Sequence, residues 1–86
     1  MKERRRSVRE RTSLRGGIYL ANGKYLPCAI RDISYEGARI NLDSPVEIFG
    51  DITLCIPTKK QIVYGSVRWR HGSRAGIVFS KIIRQR

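Results

Sequence analysis

The chain has 86 residues and a mass of 9.9 kDa, which is enough for one small domain and excludes a second one. A formal net charge of +11 is combined with 41% hydrophobic residues, so the composition is that of a basic globular domain rather than a fully disordered chain. The apolar runs are far shorter than the ~18 residues that span a bilayer, which excludes a transmembrane helix.

The apolar residues recur mostly with a period of two, which predicts strands along most of the chain. Residues 17–21 form the first predicted strand, and Asn22-Gly23 predicts a tight hairpin turn into a second strand at residues 24–32. The core-facing residues expected in the second to sixth strands are Leu26, Cys28 and Ile30, then Ala38, Ile40 and Leu42, then Ile52, Leu54 and Ile56, then Val63, Gly65, Val67 and Trp69, and finally Ala75, Ile77 and Phe79. Six short strands in so small a chain predict an all-β fold, a six-stranded antiparallel barrel, because closure removes exposed sheet edges.

The two ends of the chain differ in composition from the middle. Residues 1–12 are rich in arginine and nearly devoid of apolar side chains, which predicts a flexible basic arm that becomes ordered when an anionic ligand binds. The barrel is expected over residues 13–80. Residues 81–86 are expected to form a tail, which either makes a short helical turn or frays.

Most of the positive charge lies at these ends. Residues 1–15 carry seven basic and two acidic side chains, net +5, and residues 67–86 carry six basic and no acidic ones, net +6. Residues 16–66 carry five of each, net zero. If the ends lie side by side in the fold, they form one surface that attracts phosphate.

The residues of a metal site or a catalytic centre are not recognisable. Cys28 and Cys55 lie in separate apolar runs, which favours two buried free thiols over a disulfide in a reducing compartment. His71 is the only histidine, and the acidic residues form no metal-binding set, so we expect no metal, no cofactor and no enzymatic activity. The N-terminal segment lacks the apolar region of a secretory signal, so the cytoplasm is the expected location.

The segment Asp32-Ile33-Ser34-Tyr35-Glu36-Gly37 follows the pattern Asp-x-Ser-x-x-Gly at the end of the second predicted strand. A carboxylate accepts two hydrogen bonds from a planar donor edge, and a serine hydroxyl donates to a phosphate. The glycine permits a close backbone approach or a positive φ. The other interpretation is a turn that these side chains stabilise by themselves.

An Arg-x-x-x-Arg pair occurs twice, as Arg5 with Arg9 and as Arg11 with Arg15. Guanidinium groups bind phosphates bidentately and stack on bases. Together with a carboxylate that accepts from N1–H and N2–H₂ of guanine, such a pair describes a site for a guanine nucleotide.

With both motifs in this order, the sequence resembles the PilZ domain family, the bacterial receptors for cyclic di-GMP. In that family an Arg-x-x-x-Arg segment precedes a six-stranded β-barrel, and Asp/Asn-x-Ser-x-x-Gly follows the second strand. Residues 5–9 and 32–37 match the two motifs, and residues 67–69 and 76–79 are similar to the family's closing strands. The resemblance covers residues 3–80.

The resemblance implies a role for each matched residue in binding cyclic di-GMP. Arg5 and Arg9 hold phosphate and guanine faces, Asp32 binds the guanine edge, Ser34 contacts phosphate, Gly37 leaves room for the ligand, and Arg6 and Arg11 are auxiliary contacts. The pair Arg5/Arg9 is favoured over Arg11/Arg15 because Arg15 adjoins the first strand. A receptor of this kind signals to a downstream protein, which the sequence does not identify. We expect no binding to a membrane.

The alternative is a basic β-barrel that binds single-stranded RNA or DNA. Such proteins use several exposed aromatic side chains as stacking platforms. Trp69, Phe79 and Phe49 are predicted to be core residues, which makes nucleic acid the less favoured partner. The four tyrosines leave the alternative open.

Overall fold

Six antiparallel strands close into a barrel in the computed structural model, which describes the backbone of residues 10–84 and the side chains of residues 14–83. The strands are β1 (Glu10–Leu20), β2 (Tyr25–Ile33), β3 (Gly37–Leu42), β4 (Asp51–Ile56), β5 (Gln61–His71) and β6 (Arg74–Arg84), with one short 3-10 turn at Pro57–Lys59. Their order around the barrel is β1-β2-β3-β6-β5-β4. The predicted all-β, six-stranded antiparallel barrel is therefore confirmed. In this part of the chain no helix has the length and apolarity needed to cross a membrane.

The core is made by alternate residues of each strand, as the period of two predicts. The largest side chains that are buried completely are Ile18, Cys28, Ile30, Ile40, Leu54, Ile56 and Val63. Burying an aliphatic side chain of this size stabilises the fold by about 1.5–3 kcal/mol, so these residues dominate its stability.

The two cysteines occupy different environments, and both are free thiols. Cys28 is buried in the core, as expected, and this burial raises the pKa of its thiol to about 11. Cys55 faces outward on β4 and is only partly buried, although burial still raises its pKa. The expectation of two buried thiols is thus correct for Cys28 alone.

The Asn22-Gly23 hairpin forms as predicted. The amide of Leu20 donates to the carbonyl of Lys24 at 2.9 Å, and the amide of Gly23 donates to the carbonyl of Leu20 at 2.8 Å. Gly23 has φ +90°, which a glycine adopts without steric cost. The Asn22 side chain accepts a hydrogen bond from the amide of Lys24 at 2.9 Å.

The ends of the barrel lie beyond the range expected from the sequence. β1 already begins at Glu10, and β6 continues to Arg84, so residues 81–84 are strand instead of a helical turn. The reason is that Ser80 is an extra residue in β6, after which Ile82 pairs with Val63 and packs against the core. The boundaries of the flexible arm itself stay a prediction.

Candidate functional site

Four residues on neighbouring strands form a line across the outside of the barrel, which we call the outer row. Asp32 on β2 pairs with Arg39 on β3, Arg39 pairs with Gly76 on β6, and Gly76 pairs with Trp69 on β5. Directly opposed residues of antiparallel strands share a face. The outer row therefore lies on one face of four consecutive strands. A cavity of about 280 Å³ covers it, and Ser34, Gly37 and Arg68 also line this cavity.

Two β-bulges bring the ends of the outer row to the outside. In β2, Arg31 intervenes between two pairings that are consecutive on β3, those of Ile30 and Asp32. In β5, Arg68 intervenes in the same way between Val67 and Trp69. A bulge shifts the alternation by one residue, so Asp32 and Trp69 point away from the core to which strict alternation assigns them.

Among the residues whose side chains the structure describes, Asp32 is the one charged residue that is buried, with an exposure of 3%. Its Oδ2 atom forms an ion pair with the guanidinium of Arg39, whose side chain is 44% exposed. The same oxygen has no aligned hydrogen-bond partner among residues 14–83. A buried carboxylate oxygen with unused acceptor capacity is uncommon in native proteins, and a ligand with N–H donors would satisfy it.

Ser34 is fixed by a tight turn between β2 and β3. Its hydroxyl oxygen accepts a hydrogen bond from the amide of Glu36 at 3.2 Å, and its own amide donates to the carbonyl of Gly37 at 2.9 Å. The carbonyl of Glu36 then accepts from the amide of Phe79 at 2.8 Å, which ties the turn to β6. The motif therefore stabilises its own turn, and this turn presents Ser34 at the cavity wall beside Asp32.

Gly37 is required by the packing of β3 against β6. A Cβ atom at this position would collide with the carbonyl oxygen of Ile77, a backbone atom. Gly37 is not one of the glycines with positive φ, so of the two roles considered from the sequence, the close backbone approach is the one observed.

Trp69 lines the cavity, and the sequence interpretation did not include it among the candidate site residues. It was predicted to lie in the core, and this prediction is wrong, because the bulge at Arg68 turns it outward and leaves it 43% exposed. Its indole lies against Gly76, where there is no room for a Cβ atom. The prediction that Phe49 lies in the core is also wrong, because its side chain is 79% exposed. Phe79 packs against the core as expected.

The arginines of the predicted site are only partly within the described chain. Arg5, Arg6 and Arg9 lie outside the described residues. The backbone of Arg11 pairs with Asp32, so β1 continues the line of the outer row. Arg15, by contrast, forms an exposed ion pair with Asp43 at 2.7 Å, which raises the pKa of Arg15 and lowers that of Asp43.

The charged residues that line the cavity balance one another. The residues that line it include two arginines, Arg39 and Arg68, and two carboxylates, Asp32 and Glu36. Their formal charges cancel, so the described lining offers little net attraction for phosphates. The backbone pairing of Arg11 with Asp32 places one arginine position of the N-terminal segment beside the outer row, whereas Arg68 and Trp69 lie at the far end of the row on β5.

The chain matches a family of known proteins. The family model of the PilZ domain matches residues 3–86, almost its full length. A search of the curated proteins found no match.

Proposed function

The chain belongs to the PilZ domain family, and from this premise we propose that it binds cyclic di-GMP over the outer row and acts as a second-messenger receptor. Membership supports a role as a cyclic di-GMP receptor in general, since PilZ domains are ligand-binding receptor domains and not enzymes. The observation that carries the proposal is the buried Asp32 carboxylate, whose Oδ2 atom is ion-paired with the half-exposed Arg39 and which lies beside a cavity and an exposed indole.

Asp32 gives the site its preference for guanine. A carboxylate accepts hydrogen bonds from both N1–H and N2–H₂ of guanine. Adenine has an acceptor at N1 and no amino group at C2, so it would give this carboxylate no donor edge and would place another acceptor against it. Leaving a buried polar group unpaired costs about 1–3 kcal/mol, which is enough to discriminate between the two bases.

Trp69 and the arm supply the remaining contacts. The exposed indole lies three strands away from Asp32 along the outer row, with β3 and β6 between them, and it offers a flat face on which a base can stack. Because the charges of the described lining cancel, Arg5 and Arg9 of the arm provide the positive charge for the two phosphates, with Arg6 and Arg11 as auxiliary contacts. The arm becomes ordered when these contacts form.

The test is a calorimetric titration of the full chain with cyclic di-GMP and with cyclic di-AMP. Arg9→Ala removes a charge-assisted contact worth about 1.5–3 kcal/mol and should weaken cyclic di-GMP binding by about ten- to a hundredfold. Lys59→Ala, which removes an exposed charge in the 3-10 turn, is the matched control and should bind as the parent does. If the parent binds neither dinucleotide, the proposal is wrong. If Arg9→Ala binds normally, the relevant pair is Arg11/Arg15.

Binding of single-stranded nucleic acid stays the second candidate, because Trp69 and Phe49, which were expected in the core, are exposed and available for stacking. All aromatic residues except Phe79 are exposed. A second line of paired residues crosses β2, β1, β4 and β5 and consists of Tyr25, Tyr19, Thr53 and Tyr64 in that order. Titration with a single-stranded oligonucleotide separates the candidates: binding that Tyr19→Ala weakens and Asp32→Ala leaves unchanged would favour nucleic acid.

A further inference from the structure

In the free protein, an arginine occupies the carboxylate to which the ligand's base would bind. Arg39 pairs with Asp32 across β2 and β3 and contacts its buried Oδ2 atom. We propose that Arg39 competes with guanine for Asp32, so that the Arg39–Asp32 ion pair opens whenever a guanine base is bound. This inference rests on the proposed function and assigns a specificity-determining role to a residue outside both sequence motifs.

The competition follows from the chemistry of the two groups. The N1–C2–N2 edge of guanine is a guanidine fragment that presents N–H donors side by side in one plane, as the guanidinium of arginine does. The two donor edges suit the same face of a carboxylate. The Arg39 ion pair is formed at one carboxylate oxygen, Oδ2, whereas the planar donor edge of guanine can donate to both oxygens.

The difference in burial determines which partner moves. Arg39 is nearly half exposed and regains water when it is released, whereas Asp32 is buried on its strand. Once released, Arg39 adds a positive charge to the wall of the cavity that Arg68 also lines, where it is available to the phosphates. Arg39 therefore opposes binding of the base and assists binding of the phosphates.

Guanosine, which carries no phosphate, separates these two effects. Arg39→Leu should raise the affinity for guanosine at least threefold, measured by ligand-observed NMR with adenosine as the negative probe. The affinity for cyclic di-GMP should rise by a smaller factor or fall, because the charge is lost as well. Arg74→Leu removes another exposed arginine, at the start of β6, that does not line the cavity, and it should leave guanosine binding unchanged.

The gain must also depend on the carboxylate. In an Asp32→Asn background, Arg39→Leu should no longer strengthen guanosine binding. Circular dichroism shows whether Arg39→Leu is folded, and Arg39→Lys, which keeps the charge without the planar fork, should give a smaller increase of the same sign.

The inference is wrong if folded Arg39→Leu binds guanosine no better than the parent does. If Arg39→Leu does not fold, the same comparison is made with Arg39→Lys. The inference is also wrong if neither the parent nor these variants bind guanosine. Arg39 would then serve to position Asp32. Failure of the proposed function is distinguishable, since in that case the parent does not bind cyclic di-GMP.

Discussion

Gly37 and Gly76 are two strand glycines whose replacement by alanine should have very different consequences. At Gly37 a new Cβ atom meets the backbone carbonyl of Ile77, whereas at Gly76 it meets the indole of Trp69. Backbone in a hydrogen-bonded strand cannot move without disturbing its neighbours. An exposed indole can rotate away.

The magnitudes follow from this difference. Replacing glycine with alanine stabilises by about 0.4–1 kcal/mol through the unfolded chain, and overpacking costs about 1–3 kcal/mol. Gly37→Ala should therefore lose about 1–2 kcal/mol of unfolding free energy, whereas the terms nearly cancel in Gly76→Ala. At about 4–8 °C per kcal/mol for a domain of this size, Gly37→Ala should lower the Tm by about 4–16 °C and Gly76→Ala should change it by less than about 4 °C.

Thermal melting and tryptophan emission test the pair. The chain has one tryptophan, so its emission reports on Trp69 alone. Gly76→Ala should change this emission and weaken cyclic di-GMP binding, since stacking on an aromatic side chain is worth about 1–3 kcal/mol per base. Gly37→Ala should leave the emission of the folded protein unchanged. Equal losses of Tm in the two variants, or unchanged emission in Gly76→Ala, would refute the reasoning.

Three further predictions concern Asp32, the core and a buried thiol. Asp32→Ala should bring the dissociation constants for cyclic di-GMP and cyclic di-AMP closer together. An unchanged ratio of the two constants with a lower Tm would mean that Asp32 only stabilises its turn. Ile40→Ala should lower the free energy of unfolding, measured with urea, by about 2–5 kcal/mol because Ile40 is buried completely. Ile62→Ala should lower it by less because Ile62 is partly exposed. The pKa of Cys28 is raised from 9.0 to about 11, so the stability that its neutral thiol contributes is complete below pH 9 and is lost as the pH rises towards 11. The difference in unfolding free energy between the parent and Cys28→Ala should shrink over that interval, and a constant difference would contradict the assignment.

The sequence predicts the strands well because their evidence is local. Alternation of apolar residues around Ile40 and Leu54 and the Asn22-Gly23 turn each specify structure within a few residues. The C-terminal end was harder to predict, because the extra residue at Ser80 interrupts the alternation just before Ile82 rejoins the core.

The site was less predictable because bulges determine it. Strict alternation places Asp32 in the core beside Ile30, and an unpaired carboxylate there would be very costly, so this conflict was the available signal for a bulge in β2. No such conflict exists for Trp69, because tryptophan suits a core position as well as an exposed one. The contact of Arg39 with Asp32 depends on the pairing of β2 with β3, which no local pattern specifies.

The position of the outer row on strands also bears on the speed of signalling. The strands that carry it are hydrogen-bonded to one another, so its backbone geometry exists before a ligand arrives. Release of Arg39 from Asp32 is a side-chain rotation, which takes picoseconds to nanoseconds for exposed residues. With the net charge of +11 steering a dianionic ligand, association should be fast and should slow as salt is added. Substitutions in the site should then act mainly on the dissociation rate, and that rate would determine how long the receptor stays occupied after the messenger concentration falls.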